Sequence, residues 1–365
     1  MSNPLQKLHD FGQSFWYDNI RRRYLEDGTL AALIANDGLR GLTSNPTIFE
    51  KAIAGSDDYD AAIGALAGQG VAQVYDALSI ADIRAACDLF RPVYDASGRA
   101  DGFASLEVSP HLAHDTAGTV ADAQRLWAAV DRPNLMIKVP ATAEGLPAIR
   151  ALIGQGINVN VTLMFNMRHY EAVAAAYIAG LEDLLAAGGD VSGMASVASF
   201  FVSRVDTAVD ALLAKAGNAE HLLGQAAVAN SKVVYRRYKE IFHGPPFAAL
   251  RARGARPQRL LWASTGTKNP AYSDTLYIDE LIGPETVSTM PPVTVDAFRD
   301  HGRLANTLED DVAGAEALLA QLAARGIDLD AVTEQLQVDG VAAFSQSFDS
   351  LLATLAHKQA TLTPA

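Results

Sequence analysis

The sequence predicts an α/β protein, a (β/α)8 TIM barrel with additional C-terminal helices, and three observations lead there. Short β-like runs alternate with longer amphipathic stretches, which argues for parallel strands joined by right-handed helical crossovers. There are eight such runs, the number that closes this kind of sheet into a barrel. In several runs the polar residues share one side-chain parity, so one face of those strands is polar.

The strands are expected at SFWYDN (14–19), GLRGLTSN (38–45), GFASLEVS (102–109) and NLMIKVPA (134–141), then at GINVNVTLMF (156–165), ASVASFFV (195–202), RLLWAST (259–265) and ETVSTMP (285–291). Residues 117–130 and 167–189 carry apolar side chains at helical spacing, and the second stretch ends in Gly. Beyond the eighth strand the chain turns helical. Residues 307–326 begin with acidic residues that complement a helix dipole and end in Gly, and a second helix is expected over 344–359. Their Ala/Leu faces are expected to pack on the barrel, and the tail TLTPA to fray. Residues 1–365 would then form one domain with a helical extension at about 305–360.

Composition narrows the function. A net charge of −13 disfavours a nucleic-acid partner, which wants a basic face, and requires any bound phosphate to be held by a local cation cluster. No apolar run reaches the roughly 18–20 residues that span a bilayer, and MSNPLQKLHDFGQ lacks the basic start and apolar run of a signal peptide. One cysteine, Cys87, excludes an internal disulfide framework and fits a reducing cytoplasm, with the thiol buried as a small apolar group.

NLMIKVPATAEG (134–145) poses the chemical question, because it puts a lysine inside an apolar strand. Burying an ammonium is costly unless it is paired or neutralised. Parity places Lys138 with Met136, Asn160 with Asn158 and Thr162, and Glu107 with Ser105 and Ser109. If the opposite, apolar set meets the helices, these polar residues line the barrel interior, where an inert core would hold Val, Ile and Leu. Lys138, Glu107, Asn160 and Thr162 then meet near the C-terminal ends of their strands, where reactive groups in this fold sit. A lysine taken out of water there can attack a carbonyl and form a Schiff base; the competing reading is a structural Lys–Glu pair.

The chain also resembles a known family. GLTSNPTIFEKAI (41–53) and LMIKVPATAEGLPAI (135–149), the latter followed by GINVNVTLMF, are similar to the two signature blocks of transaldolases. ASFFVSRVD (198–206) and LLWASTGTKNP (260–270) resemble later blocks, and the likeness runs from about residue 14 to beyond 290. The resemblance implies a class I aldolase-type barrel with no metal or organic cofactor. It would move a dihydroxyacetone unit from sedoheptulose 7-phosphate to glyceraldehyde 3-phosphate in the non-oxidative pentose phosphate pathway. It assigns Lys138 as the imine-forming nucleophile, Glu107 as the carboxylate acting through a catalytic water, and Thr162 as a holder of that water. Asp18 would exchange the proton of the C4 hydroxyl. Asn45 and Asn160 would hold the three-carbon unit, with Ser199 nearby and Phe201 as an aromatic wall. Arg204, Ser264 and Lys268 would bind phosphate, Lys268 standing across a length difference from the arginine of better-known relatives.

Several residues have plainer readings. Asp18 can open the basic helix NIRRRYLEDG, Asn45 can be a turn residue before Pro46, and Arg204 can pair with Asp206 at the surface. Arg21, Arg22 and Arg23 read as a solvated helix face. His111 and His114, in PHLAHD, read as a loop and helix start rather than half a metal site. The competing functions are a simple fructose-6-phosphate-type aldolase and a non-catalytic sugar-phosphate-binding barrel. The partners expected are sugar phosphates, with no nucleic acid or membrane, and the chain would be a monomer or homodimer.

Overall fold

A computed structural model describes residues 3–217 and 219–362. Eight parallel strands close into a barrel in chain order: β1 (Gln13–Asp18), β2 (Gly41–Thr43), β3 (Phe103–Glu107), β4 (Leu135–Pro140), β5 (Val159–Met164), β6 (Ser196–Phe201), β7 (Arg259–Ala263) and β8 (Thr286–Met290). All eight expected strands are present. β1 begins one residue earlier than its run, and the others lie within theirs. Several runs overshoot because they take in loop residues at the barrel mouth, such as Asn45, which stays extended, and Ser264, which turns left-handed.

Crossover helices fill the intervals. Two of them match the expected stretches, at Thr116–Val130 and Met167–Ala186. Each starts on a polar side chain that accepts a bond from an otherwise unpaired helix N–H: Asp115 from Gly118 and Asn166 from His169. The apolar parity of the strands, including Leu135, Ile137, Val139, Val159 and Val161, is fully buried.

The other parity faces inward. At the N-terminal end, Ser14, Phe103, Met136, Val197 and Arg259 line one cavity. At the C-terminal end, Asp18, Thr43, Lys138, Thr162, Ser199 and Phe201 line another. Trp16 lies between the two levels of β1, with its indole Nε1 donating to Asp101 Oδ1 at 3.2 Å. The glycine at position 41 makes room for that ring. A Cβ there would lie 2.6 Å from the Trp16 indole and 2.8 Å from the Phe103 carbonyl oxygen.

The arginine run departs from its expectation. Arg22 is largely buried, 2.7 Å from Asp82 and with its guanidinium 4.7 Å from the Tyr59 ring centre. Arg21 pairs with Asp58, and Arg23 is the exposed member. Asp58, Tyr59 and Asp82 belong to the long segment between β2 and β3, which folds back over the arginines. Cys87 is buried, as expected, and burial pushes its thiol up to about 12.

The C-terminal region holds the larger correction. The helix Val312–Ala324 falls within 307–326 and starts at Asp311, whose side chain accepts from Gly314. The last helix begins at Leu329 rather than at residue 344 and runs to Leu362, which makes it roughly 50 Å long. Its first half carries only a sparse apolar stripe, Leu329, Val332 and Leu336, and contains Gly340, so its helical period is weak. It packs on the helices Pro46–Ala54, Asp60–Ala65, Val71–Ala96 and Ser203–Ala216, and so crosses the barrel mouth. Thr361 and Leu362 of the expected frayed tail are helical, and residues 363–365 lie outside the described residues. Among the described residues no helix is long and apolar enough to cross a membrane.

The Trp16–Gly41 fit gives a direct check. Gly41→Ala is expected to destabilise the fold by about 1–3 kcal/mol through overpacking. Denaturant titration measures this, and an unchanged midpoint would contradict the account.

Candidate active site

Three neighbouring strands bring Glu107, Lys138 and Asn160 into one row, because β3 pairs Glu107 with Lys138 and β5 pairs Asn160 with Lys138. Lys138 is 4% exposed. Its Nζ lies 3.5 Å from Glu107 Oε2 and donates to the Ser44 carbonyl at 3.2 Å. Burial raises the Glu107 carboxyl above its ordinary value; the Lys138 ammonium opposes that and the Asp18 charge adds to it. A carboxyl with raised proton affinity beside an amine is suited to exchanging protons with it. Glu107 Oε2 and Thr162 Oγ1 are both buried without a hydrogen-bond partner within the chain.

Asn160 and Ser199 hold each other. Ser199 Oγ donates to Asn160 Oδ1 at 2.7 Å, and Asn160 Nδ2 donates to Ser105 Oγ at 3.0 Å. One Asn160 N–H is left over from this network.

Asp18 ends β1 and does not open a helix: the next helix starts at Arg22, with Arg21 as an uncapped N-cap. Its Oδ1 accepts from Thr43 Oγ1 at 2.7 Å. Asn45 caps a helix, accepting from Ile48 N, where the plainer reading had a turn. It also borders the cavity that holds Asp18 and Lys138.

Arg204 does not pair with Asp206. Asp206 is buried and accepts from the Ala227 N–H and the Tyr277 hydroxyl. Among the described residues Arg204 has no carboxylate partner. Burial lowers its pKa, and its guanidinium lies 5.3 Å from the Phe201 ring centre. The helix that carries it starts at Ser203 without a side-chain cap, so its N–H groups and dipole add to the positive field there. Ser203 Oγ meets Ser264 Oγ at 2.8 Å. Ser264 has φ of 57°, and Leu163, next to Thr162, has φ of 60° at a register shift between β5 and β6. Both are non-glycine residues in the left-handed region, a form of strain that gathers at functional sites.

Nine of the eleven predicted residues border this one cavity: Asp18, Asn45, Lys138, Thr162, Ser199, Phe201, Arg204, Ser264 and the exposed Lys268. Glu107 and Asn160 lie behind it, reached through Lys138 and Ser199, and Glu107 borders a neighbouring cavity with Tyr75 and Phe348. Sequence reasoning missed Thr43, Ser203 and Phe344. Thr43 was available from parity on β2 as the partner of Asp18, and Ser203 from its place before Arg204. Phe344 carried no signal, since only the path of the last helix brings it here. His111 and His114 reach two different carboxylates, Asp349 and Glu144.

The arrangement offers an amine and a carboxyl buried together, a second carboxylate across the cavity, and an unpaired guanidinium at its rim. A ketose phosphate presents the matching groups: a carbonyl, hydroxyls and a phosphate. A family model described as transaldolase/fructose-6-phosphate aldolase matches residues 15–355. A transaldolase of Frankia alni is 51% identical over 363 residues, covering 98% of each chain. One from Thiobacillus denitrificans is 52% identical over 357 residues, 97% of this chain and 99% of that one. One from Trichodesmium erythraeum is 46% identical over 378 residues and covers 100% of both.

The buried Asp206 yields a pH prediction. Burial pushes its carboxyl up to about 6 from its ordinary 3.8, against the two hydrogen bonds it accepts. The folded state therefore holds this proton more tightly than the unfolded chain. Its contribution to stability is complete below pH ~4, falls as pH rises to ~6 and is flat above, a total of roughly 3 kcal/mol. Asp206→Asn removes the titration. Urea unfolding of both proteins from pH 4 to 7 should give a stability difference that changes across pH 4–6, and parallel curves would contradict the assignment.

Proposed function

The chain belongs to the transaldolase/fructose-6-phosphate aldolase family, and from that premise we propose a complete transfer reaction for its site. It moves a dihydroxyacetone unit from sedoheptulose 7-phosphate to glyceraldehyde 3-phosphate, giving erythrose 4-phosphate and fructose 6-phosphate in the non-oxidative pentose phosphate pathway. The observation that carries this reading is the Lys138–Glu107 pair, 3.5 Å apart and buried at the C-terminal end of the barrel.

Lys138 Nζ attacks the C2 carbonyl of the donor. The carbinolamine loses water as Glu107 passes protons through a water held by Thr162, and the imine forms. Thr162 Oγ1, buried without a hydrogen-bond partner in the chain, and Glu107 Oε2, whose one polar neighbour is Lys138 Nζ at 3.5 Å, support that role. Asp18 takes the proton of the C4 hydroxyl as the C3–C4 bond breaks, and the first aldehyde leaves. Its bond from Thr43 holds one carboxylate oxygen and leaves the other for the substrate. The remaining Asn160 N–H and the Asn45 amide hold the hydroxyls of the bound unit, with Ser199 behind Asn160 and Phe201 as a wall. The acceptor aldehyde then enters, Asp18 returns the proton, and hydrolysis frees the product. Arg204 grips the phosphate at the rim, with Ser264 and Lys268 beside it.

The catalytic parts use only this chain's residues, with neither metal nor organic cofactor. One chain suffices for activity, so a monomer and a homodimer would both work. The barrel with its helical extension at about 305–360 acts as one domain. A reducing cytoplasm suits its one buried thiol.

The experiment is a two-part assay with fructose 6-phosphate as donor. With erythrose 4-phosphate present, sedoheptulose 7-phosphate should form; without an acceptor, little dihydroxyacetone should be released. Free dihydroxyacetone as the main product under both conditions would make the chain a simple aldolase. Arg204→Ala should raise KM for phosphorylated donors roughly 100-fold, the worth of one or two charge-assisted bonds. An equal loss with an unphosphorylated ketose would contradict the phosphate role. Glu107→Gln should slow imine formation while leaving donor binding within about threefold, read by stopped-flow; a change confined to affinity would contradict it.

A further inference from the structure

The last helix supplies a wall of the catalytic cavity. Phe344, in the middle of Leu329–Leu362, borders the cavity and is 5% exposed. Lys138 Nζ lies 5.7 Å from its ring centre, close enough for a cation–π contact.

The helix is fastened to the strand ends that carry the chemistry. Gln337 Nε2 donates to the Ala141 carbonyl at 3.0 Å and to the Leu163 carbonyl at 2.9 Å, just past β4 and within β5. Asn166 Nδ2 donates to Thr333 Oγ1 at 3.0 Å. On the far side Thr47 Oγ1 donates to Ser347 Oγ at 2.8 Å, two residues after Asn45. Gly340 lets the helix settle this close. A Cβ at that position would lie 2.8 Å from Leu163 Cδ2 and 3.5 Å from an Arg204 Nη. A mid-helix glycine costs about 1 kcal/mol relative to alanine, and the approach to Leu163 explains its use here.

We propose that Phe344 is a specificity-determining residue that keeps water from the three-carbon unit on Lys138 and so favours its transfer over its release. The inference rests on the Schiff-base reading above. The bound unit has two fates. As an enamine it can attack an acceptor aldehyde, forming a carbon–carbon bond. Alternatively, its C3 carbon takes a proton to give the imine. Water then adds to the C=N bond, the C–N bond breaks, and dihydroxyacetone leaves with Lys138 restored as the amine. The second route consumes one solvent water and involves no oxidation or reduction. A ring fixed over Lys138 Nζ limits the solvent that can protonate C3 before an acceptor arrives. The transfer route reaches imine hydrolysis only after the new carbon–carbon bond has formed, so excluding solvent in this way suppresses early loss of the reactive intermediate.

The test measures a partition ratio: dihydroxyacetone released per sedoheptulose 7-phosphate formed, from fructose 6-phosphate at fixed erythrose 4-phosphate. Both products come from the same active molecules, so loss of folded protein does not move the ratio. Phe344→Ala should raise it roughly tenfold, while Phe344→Leu, which keeps apolar bulk, should stay near the wild type. Gly340→Ala keeps the ring but pushes the helix off Leu163, and it should raise the ratio too. This variant decides the matter if Phe344→Ala does not fold. A wild-type ratio in whichever of Phe344→Ala and Gly340→Ala folds and transfers would overturn the proposal. A wild-type protein that passes on no three-carbon unit would overturn the transfer reading itself, and this inference with it.

Discussion

An ammonium and a carboxylate lie together in the polar end of a barrel, and much of the surrounding structure answers to that placement. Taking two such ions out of water costs several kcal/mol each after relaxation. The Lys138–Glu107 contact at 3.5 Å offsets part of this, and the Ser44 carbonyl takes one of the ammonium protons. The row is completed by Asn160, itself held by Ser105 and Ser199. A barrel that needed only a core would have placed branched apolar residues at these positions. The polar layer sits above Trp16, so an apolar ring and a glycine beside it separate the site from the cavity at the other end of the barrel.

Charge elsewhere follows the same logic. The chain carries a net charge of −13, yet Arg204 stands half-buried beside the cavity without a carboxylate among the described residues. The nearby Asp206 is turned away and occupied by Ala227 and Tyr277. An unpaired guanidinium at an uncapped helix start is unfavourable for the empty fold and favourable for a bound phosphate. The last helix adds the remaining wall. It ties the C-terminal ends of β2, β4 and β5 to one rigid rod, through Gln337 on one side and Ser347 on the other.

Much of this was legible in the sequence, and the reason is local. Strand side chains alternate with period two, so Lys138, Glu107, Asn160 and Thr162 could be set on one face without coordinates. The family resemblance then supplied positions whose neighbours say little, such as Asp18, Arg204 and Ser264. What stayed hidden depends on long-range packing. Arg22 read as a solvated charge because Tyr59 and Asp82, which cover it, lie far along the chain. The first half of the last helix carries too sparse an apolar stripe to mark it as helix, and side-chain bonds at the barrel mouth hold it in place. Phe344 is separated from Lys138 along the chain by four strands of the barrel and their helices, and no periodicity links them. Asn45 read as a turn residue because Pro46 follows it, but it caps a helix and borders the cavity at once.

The central claim is that Lys138 forms a covalent imine with a ketose phosphate. Borohydride reduces an imine to a stable amine, so the three-carbon adduct can be trapped on the chain and located by peptide mass mapping. With fructose 6-phosphate as donor, the account predicts one adduct, on Lys138. An adduct on another lysine, such as Lys268 at the cavity rim, would contradict it. So would no adduct at all from folded protein that still binds the sugar phosphate.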